Sequence, residues 1–415
     1  MNPTRPASQT STAPLSGVRV LDLSRVLAGP LCAQYLGDMG AEVIKVETPG
    51  SGDDTRTWPE FRTAADGQQT TGPFLSANRN KRSLALDLKS EAGRAIVHAL
   101  TRQSDVVIES FAPGVASRLG VDAQTLRALN PRLIHCSISG FGSVGPMREG
   151  KGYDLILQAF SGMLSITGDA GSPPMRSPFS PVDQATGMHA LTGILAALYR
   201  RQLTGAGTSV EACLFDTAAA FLAYFLQNYW ESGQEPKKAG VGHASLCPYG
   251  VFETADRPLI LGIANDALWR RFCQVAGLKN DAALQTLQTN AERVQRRAET
   301  EARVVQALRQ HERAYWIEHL DEAGIPCTAV HTLGEMSAHP HTAASGMVLE
   351  YQHRVFGPLK GVAQPLRFDG ERCPQRYTPP LRGEHTADIL RELGWADADI
   401  QALIAQGLAA TAPSA

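Results

Sequence analysis

The chain has 415 residues, 43% of them hydrophobic, enough for a sizeable core in two domains or in one large domain with an insertion. Its formal net charge is −2 and its pI about 6.6, which excludes a globally basic surface for nucleic acid. Seven scattered cysteines with no C-x-x-C pair argue against a zinc or disulfide framework, and no run of about 18 apolar residues is present to span a membrane.

Residues 1–14 are polar and rich in Pro, Ser and Thr, and are expected to form a disordered tail without the apolar stretch of a signal peptide. A reducing cytoplasm fits the cysteine usage. Val18–Leu23 then reads as a short apolar strand, and Pro30 suits the first turn of a helix running to about Met39. Gly40 ends that helix and Glu42–Glu47 is a second strand. This β-α-β unit seeds a parallel sheet but lacks the G-x-G-x-x-G of a dinucleotide site. PGSGDDTRTW, residues 49–58, is turn-rich and fits a functional loop as well as a solvated one. Arg79, Lys81 and Arg82 precede a strand over Ser83–Leu88, where they suit either a solvated edge or phosphate contacts.

Alternation continues with a helix over Glu91–Gln103, a strand over Asp105–Glu109, a short helix carrying Arg118, and a strand over Leu133–Ser139. The pattern predicts a doubly wound, Rossmann-like α/β domain whose ligands sit beyond the C-terminal strand ends. Gly152-Tyr153-Asp154 opens one apolar helical run. Pro181-Val182-Asp183 opens another, which continues through Ala185–Tyr199. Thr208–Cys213 is one more strand and Leu214–Trp230 a long helix. Composition turns polar at 231–238, and 231–339 reads as linkers and a smaller α+β domain. Residues 15–230 and 340–415 form the large domain, with a β-hairpin around Phe356-Gly357-Pro358 and two closing helices.

Asp183 is a lone carboxylate at the head of a segment otherwise suited to burial. An acidic residue there fits a helix N-cap. Caps are far commoner than nucleophiles, but it also fits a nucleophile toward an activated acyl group.

Assembled, LSGVRVLDLSRVLAGP, GDMGAEVIKVETPGSGDDTRTW, NRNKRSLALDLKS, DVVIESFAPGVASRLG, KGYDLILQAFSGM and DQATGMHALTGILAAL closely resemble the class III CoA-transferases, the family of formyl-CoA:oxalate and carnitine CoA-transferases. The likeness spans Leu15 to Leu408. It implies an interlocked, ring-like homodimer, small-molecule substrates, coenzyme A and acyl-CoA as substrates in place of a tightly bound cofactor, and no metal. It makes Asp183 the catalytic nucleophile, which passes through an anhydride and an aspartyl-CoA thioester. Leu27, Ala28, Leu86, Asp87, Leu88, Lys89, Ser110, Phe111, Ala112, Arg118, Lys151, Gly152, Tyr153 and Asp154 fall on CoA-contact positions. The backbone at Leu27-Ala28 and at Gly242–Ser245 falls where oxyanion donors are expected.

Thr48 stands where the oxalate enzyme has a CoA-contacting Arg. Arg25 and Leu27 replace a His and a Gln of that enzyme, which disfavours formyl/oxalate specificity. The motifs look closer to enzymes moving CoA from succinyl-CoA to C4–C6 dicarboxylates such as itaconate, mesaconate, citramalate, malate or glutarate. Arg25, Arg56 and Arg79 are candidates for the distal carboxylate, with His243 and Ser245 as further substrate contacts. The alternatives are a formyl-CoA:oxalate-type CoA-transferase and a 2-methylacyl-CoA racemase of the same fold. In the racemases the residue at Tyr153 is a His, and a phenol is a poor base at neutral pH.

Overall fold

The computed structural model describes residues 13–279 and 286–412; most of the expected tail, residues 1–12, lies outside the described residues. The chain divides into two compact units. One comprises 1–161, 178–223 and 344–415, the other 162–177 and 224–343.

In the first unit the strands are β1 (Arg19–Asp22), β2 (Glu42–Glu47), a short hairpin of β3 (Phe61–Thr63) and β4 (Gln69–Thr71), β5 (Lys81–Leu86), β6 (Val106–Glu109), β7 (Ile134–Ser139) and β8 (Thr208–Cys213). In the second they are β9 (Tyr249–Phe252), β10 (Leu259–Gly262) and β11 (Cys327–Ala329). The first unit resumes with the hairpin β12 (Val348–His353) and β13 (Gly357–Val362) and ends in β14 (Ala409–Ala410). The main sheet runs β14-β5-β2-β1-β6-β7-β8. Its six central strands are parallel, and β14 closes the β5 edge antiparallel.

Strands buried on both faces are largely apolar, and Val106, Val107 and Ile108 of β6 are all fully buried. One face packs the helix Glu91–Gln103 and the closing helices Thr386–Glu392 and Asp397–Ala405 through Ile96, Val97, Leu100, Ile389, Leu390, Ile400 and Leu403. The helix Ala28–Asp38 is buried on nearly every side, as expected of an apolar helix with no solvent face. It lies so close to the helix Pro181–Thr204 that a Cβ on Gly187 would meet the Ala28 carbonyl oxygen at 2.5 Å.

The second unit holds an antiparallel sheet, β11-β10-β9, backed by helices Asp266–Val275, Arg297–Leu308 and Arg313–Glu322. Trp269, Phe272, Val304, Leu308, Trp316 and Leu320 form its core.

Three local expectations change. Leu214–Trp230 is two helices, Leu214–Phe221 and Ala223–Ser232. Gly357 and Pro358 lie inside β13, so the hairpin turns at 354–356. The cations expected before that strand are ion-paired, and two of them, Lys81 and Arg82, lie within β5, Arg82 partly exposed and paired with Glu392 at 2.8 Å. Lys81 is fully buried against Asp22 at 2.9 Å, and Arg79 is buried against Asp38 at 2.6 Å.

Candidate active site

In this strand order the connections diverge between β1 and β6, and a doubly wound sheet opens its ligand crevice there. The first unit has a cleft of about 330 Å³ at that place. Arg25–Gly29 line it from beyond β1, Ser110–Pro113 from beyond β6, and Ser139-Gly140 from the end of β7. Gly150–Tyr153, Asp54, Leu214 and Asp183 complete the wall. A larger cavity of about 1060 Å³ lies at the opposite, N-terminal strand ends, lined by Arg19, Glu42 and Arg82 among others, and contains none of the expected site residues.

Two glycines set the wall beside β7. A Cβ on Gly140 would lie 2.7 Å from the Gly152 Cα, and one on Gly152 would lie 2.5 Å from the Gly140 Cα. Only paired glycines allow that approach, which carries Lys151–Tyr153 across the strand end. Phe141, Phe160 and Phe215 pack together beneath it, with ring centroids 5.1 to 6.3 Å apart.

Helix Pro181–Thr204 brings in Asp183 from its first turn. Its N-cap is Ser180, in a left-handed conformation and without a side-chain capping bond. Asp154 takes over the cap. The Val182 and Asp183 N–H groups donate to Asp154 Oδ1 at 2.8 and 3.2 Å, and Gln158 donates to its other oxygen. Asp183 is therefore not the cap. Its carboxylate faces the cleft without a hydrogen bond or ion pair among the described residues. Burial, with the Asp154 carboxylate adding to it, pushes the Asp183 acid up to about 7. Two neighbouring carboxylates thus have opposite environments, one fully hydrogen-bonded and one bare, which is how acid-base or nucleophilic roles are separated.

Leu27 precedes the helix Ala28–Asp38. Leu27, Ala28 and Gly29 line the cleft and their N–H groups have no acceptor among the described residues, while Leu31 N–H turns back to the Leu27 carbonyl at 2.9 Å.

Of the expected contacts, Arg25, Leu27, Ala28, Ser110, Phe111, Ala112, Lys151, Gly152, Tyr153 and Asp183 share this cleft. Leu86–Lys89 at the end of β5 and Arg118 on the helix Val115–Leu119 lie outside its lining, with Lys89 and Arg118 exposed. Asp154, expected as a CoA contact, is buried and committed to the helix. Arg56 and Arg79, expected as substrate cations, already hold carboxylates. Arg56 makes two bonds to Glu47 at 2.7 and 2.8 Å and stacks on Phe74, and Arg79 makes two to Asp38. Arg25 keeps a half-exposed ion pair with Asp54 at 3.5 Å. His243 and Ser245 belong to the second unit, where the Ser245 N–H donates to His243 Nδ1 at 3.1 Å and Arg297 donates to the His243 carbonyl at 2.9 Å.

Residues 15–386 match the family described as CoA-transferase family III. The chain belongs to that family. A succinate–glutarate CoA-transferase of Agrobacterium fabrum is 39% identical, over 92% of this chain and 96% of that protein. The human succinyl-CoA:glutarate CoA-transferase is 34% identical, over 97% of this chain and 92% of that one. A crystal structure of a CAIB/BAIF family protein from Brucella suis superposes with a TM-score of 0.81 at 35% identity, over 92% of this chain and 99% of the other. As a family III CoA-transferase, the chain is an enzyme with CoA thioesters as substrates. Among the described residues no group of three or more His, Cys, Asp or Glu side chains is placed to hold a metal, and no helix is long and apolar enough to cross a membrane.

Proposed function

We propose that this CoA-transferase moves CoA from succinyl-CoA to a small dicarboxylate, glutarate foremost, through a covalent intermediate on Asp183. The observation that carries the reading is the bare Asp183 carboxylate in the switch-point cleft, its helix capped by Asp154 instead.

An Asp183 oxygen attacks the thioester carbonyl carbon. The C–S bond breaks, leaving an aspartyl-succinyl anhydride and CoA thiolate. The thiolate attacks the Asp183 carbonyl, the anhydride C–O bond breaks, and succinate departs. The acceptor carboxylate then attacks the aspartyl-CoA thioester, releasing thiolate again. The thiolate takes the acyl group of the new anhydride and restores Asp183. The activation of the acyl group is conserved throughout, as thioester or as anhydride, so water must stay out. Each tetrahedral oxyanion needs N–H donors, a role suited to Leu27 and Ala28. A carboxylate of raised pKa is also the better nucleophile once ionised.

Lys151, exposed at the cleft and without an ion pair among the described residues, is the phosphate-side cation, and Arg25 is the candidate for the distal carboxylate of the acid. Leu86–Lys89 and Arg118 extend the CoA track beyond the cleft, along residues 15–230 and 340–415. The names of the relatives support succinyl-CoA and glutarate. Leu155, Ile156, Phe160, Met188, Tyr199 and Leu203 are 42–71% exposed on two helices, an apolar face that supports a homodimer, which we take as interlocked. None of the seven cysteines is in a disulfide and five are buried, in keeping with a cytoplasmic enzyme.

The test mixes the enzyme with succinyl-CoA and single acids, with Asp183→Ala as control, and reads products by mass spectrometry. Glutaryl-CoA formed only by the wild type supports the reading. Exchange that persists in the control, or α-deuterium uptake by a branched acyl-CoA without exchange, overturns it.

A further inference from the structure

The loop from Ser24 to Pro30, which carries the three unpaired N–H groups, has a backbone that would not choose its own shape. Val26 is β-branched yet sits at φ +70°, and Leu27 has φ −132° and ψ −59°. Such a conformation persists only where its surroundings determine it from several sides.

Four charged side chains, all at most 1% exposed, grip this loop. Asp22 Oδ1 accepts the Ser24 N–H at 3.0 Å and also the Ser24 hydroxyl. Lys45 donates to the Ser24 carbonyl at 3.0 Å and pairs with Asp53 at 2.8 Å. Asp53 Oδ1 accepts from Val26 N–H at 3.4 Å and, more tightly, from the Thr55 N–H and hydroxyl at 2.9 and 2.7 Å. Lys81 donates to the Pro30 carbonyl at 2.7 Å, to Asp22 at 2.9 Å and to Asn78 at 3.0 Å. From outside this group, Ser110 Oγ accepts the Arg25 N–H at 3.0 Å. The loop is thus held at Ser24, Arg25, Val26 and Pro30, and the free donors lie between the last two.

Buried ion pairs are a costly way to gain stability, since apolar residues of equal volume do as well or better. We propose that Asp22, Lys45, Asp53 and Lys81 form a charge clamp of positioning residues, holding the strained Ser24–Pro30 loop so that its N–H groups are aimed at the oxyanion of the transfer reaction. This rests on Asp183 being the nucleophile beside that loop. The clamp acts through the loop and touches no substrate. Because donors pre-aimed at a developing charge act mainly in the transition state, loosening them lowers kcat more than it raises KM.

The test is the double variant Lys45→Met/Asp53→Asn, which removes one charge pair together and keeps an acceptor for the Val26 and Thr55 N–H groups. Asp53→Asn alone is the milder companion should the double variant fail to fold. Arg201→Met/Asp105→Asn, breaking an ion pair at the far end of the sheet, is the control. Below the unfolding transition, the clamp variants should lose about 10- to 100-fold in kcat, with the succinyl-CoA KM within about threefold of wild type. The control should keep kcat within about twofold. Val26→Gly, placed in the clamp-variant background, should recover part of the loss, because glycine accepts a positive φ without strain. Unchanged kcat in the folded clamp variants, a loss carried by KM, or an equal loss in the control overturns the clamp. Turnover surviving Asp183→Ala would instead overturn the nucleophile, so the two failures are distinguishable.

Discussion

The floor of the parallel sheet and the mouth of its cleft treat acidic groups in opposite ways. Under the loop, Asp22, Glu47 and Asp53 are buried with a cation each. Burial works against their ionisation, yet Lys45 and the Thr55 donors bring Asp53 down to about 2, and Arg56 does the same for Glu47. At the mouth, Asp183 is half-buried with no cation and with Asp154 beside it, so its acid rises to about 7. One region spends its charges on fixing backbone, while the other leaves a charge unsatisfied where a reaction can use it. Reactive and structural carboxylates differ here in their partners as well as in their depth.

The largest effect separating the two regions should come from Asp183→Ala. Transfer should fall by about a thousandfold or more while CoA still binds, read by single-turnover assay and calorimetric titration. Next in size is Lys81→Met, which strands Asp22 without its counter-ion. It should cost about 3–5 kcal/mol in urea unfolding, and a loss near zero would mean that the floor is not a paired network.

Asp183→Asn should do the reverse of Lys81→Met and stabilise the fold, in a pH-dependent way. The folded Asp183 holds its proton up to about pH 7, whereas the unfolded group releases it near the ordinary value of 3.8. Its contribution to stability is therefore complete at low pH and lost as pH rises through 7. The variant should gain roughly 2–4 kcal/mol at pH 8 and almost nothing at pH 4. Denaturant midpoints at the two pH values check this, and wild-type turnover should climb with pH to a plateau above about 7. The smallest effect is expected from Lys151→Ala, a rise of about three- to tenfold in the KM for the CoA ester with little change in stability.

The sheet could be read from the chain because its strands are apolar runs closed by strong punctuation. Pro30 and Gly40 bracket one helix, and β2, β8 and the helix Glu91–Gln103 fall on the residues expected of them. β14 escaped because two residues carry no period. The charge clamp escaped because Lys81 and Asp22 are 59 positions apart, and three cations in four positions look like surface. One signal was available. Lys45 sits in EVIKVE, between β-branched residues of a strand needing burial on both faces, and a cation there requires a buried partner. Asp183 stood out by its context, but only the family likeness chose between cap and nucleophile. The role of Asp154 as the substitute cap, 28 residues from Val182, leaves no local trace.

The most direct measurement is peptide mass mapping of the enzyme quenched during turnover with succinyl-CoA. The account predicts a CoA adduct on the peptide containing Asp183, discharged on adding glutarate and absent from Asp183→Ala. An enzyme that turns over with no adduct on that peptide, or with one on a cysteine instead, would contradict it.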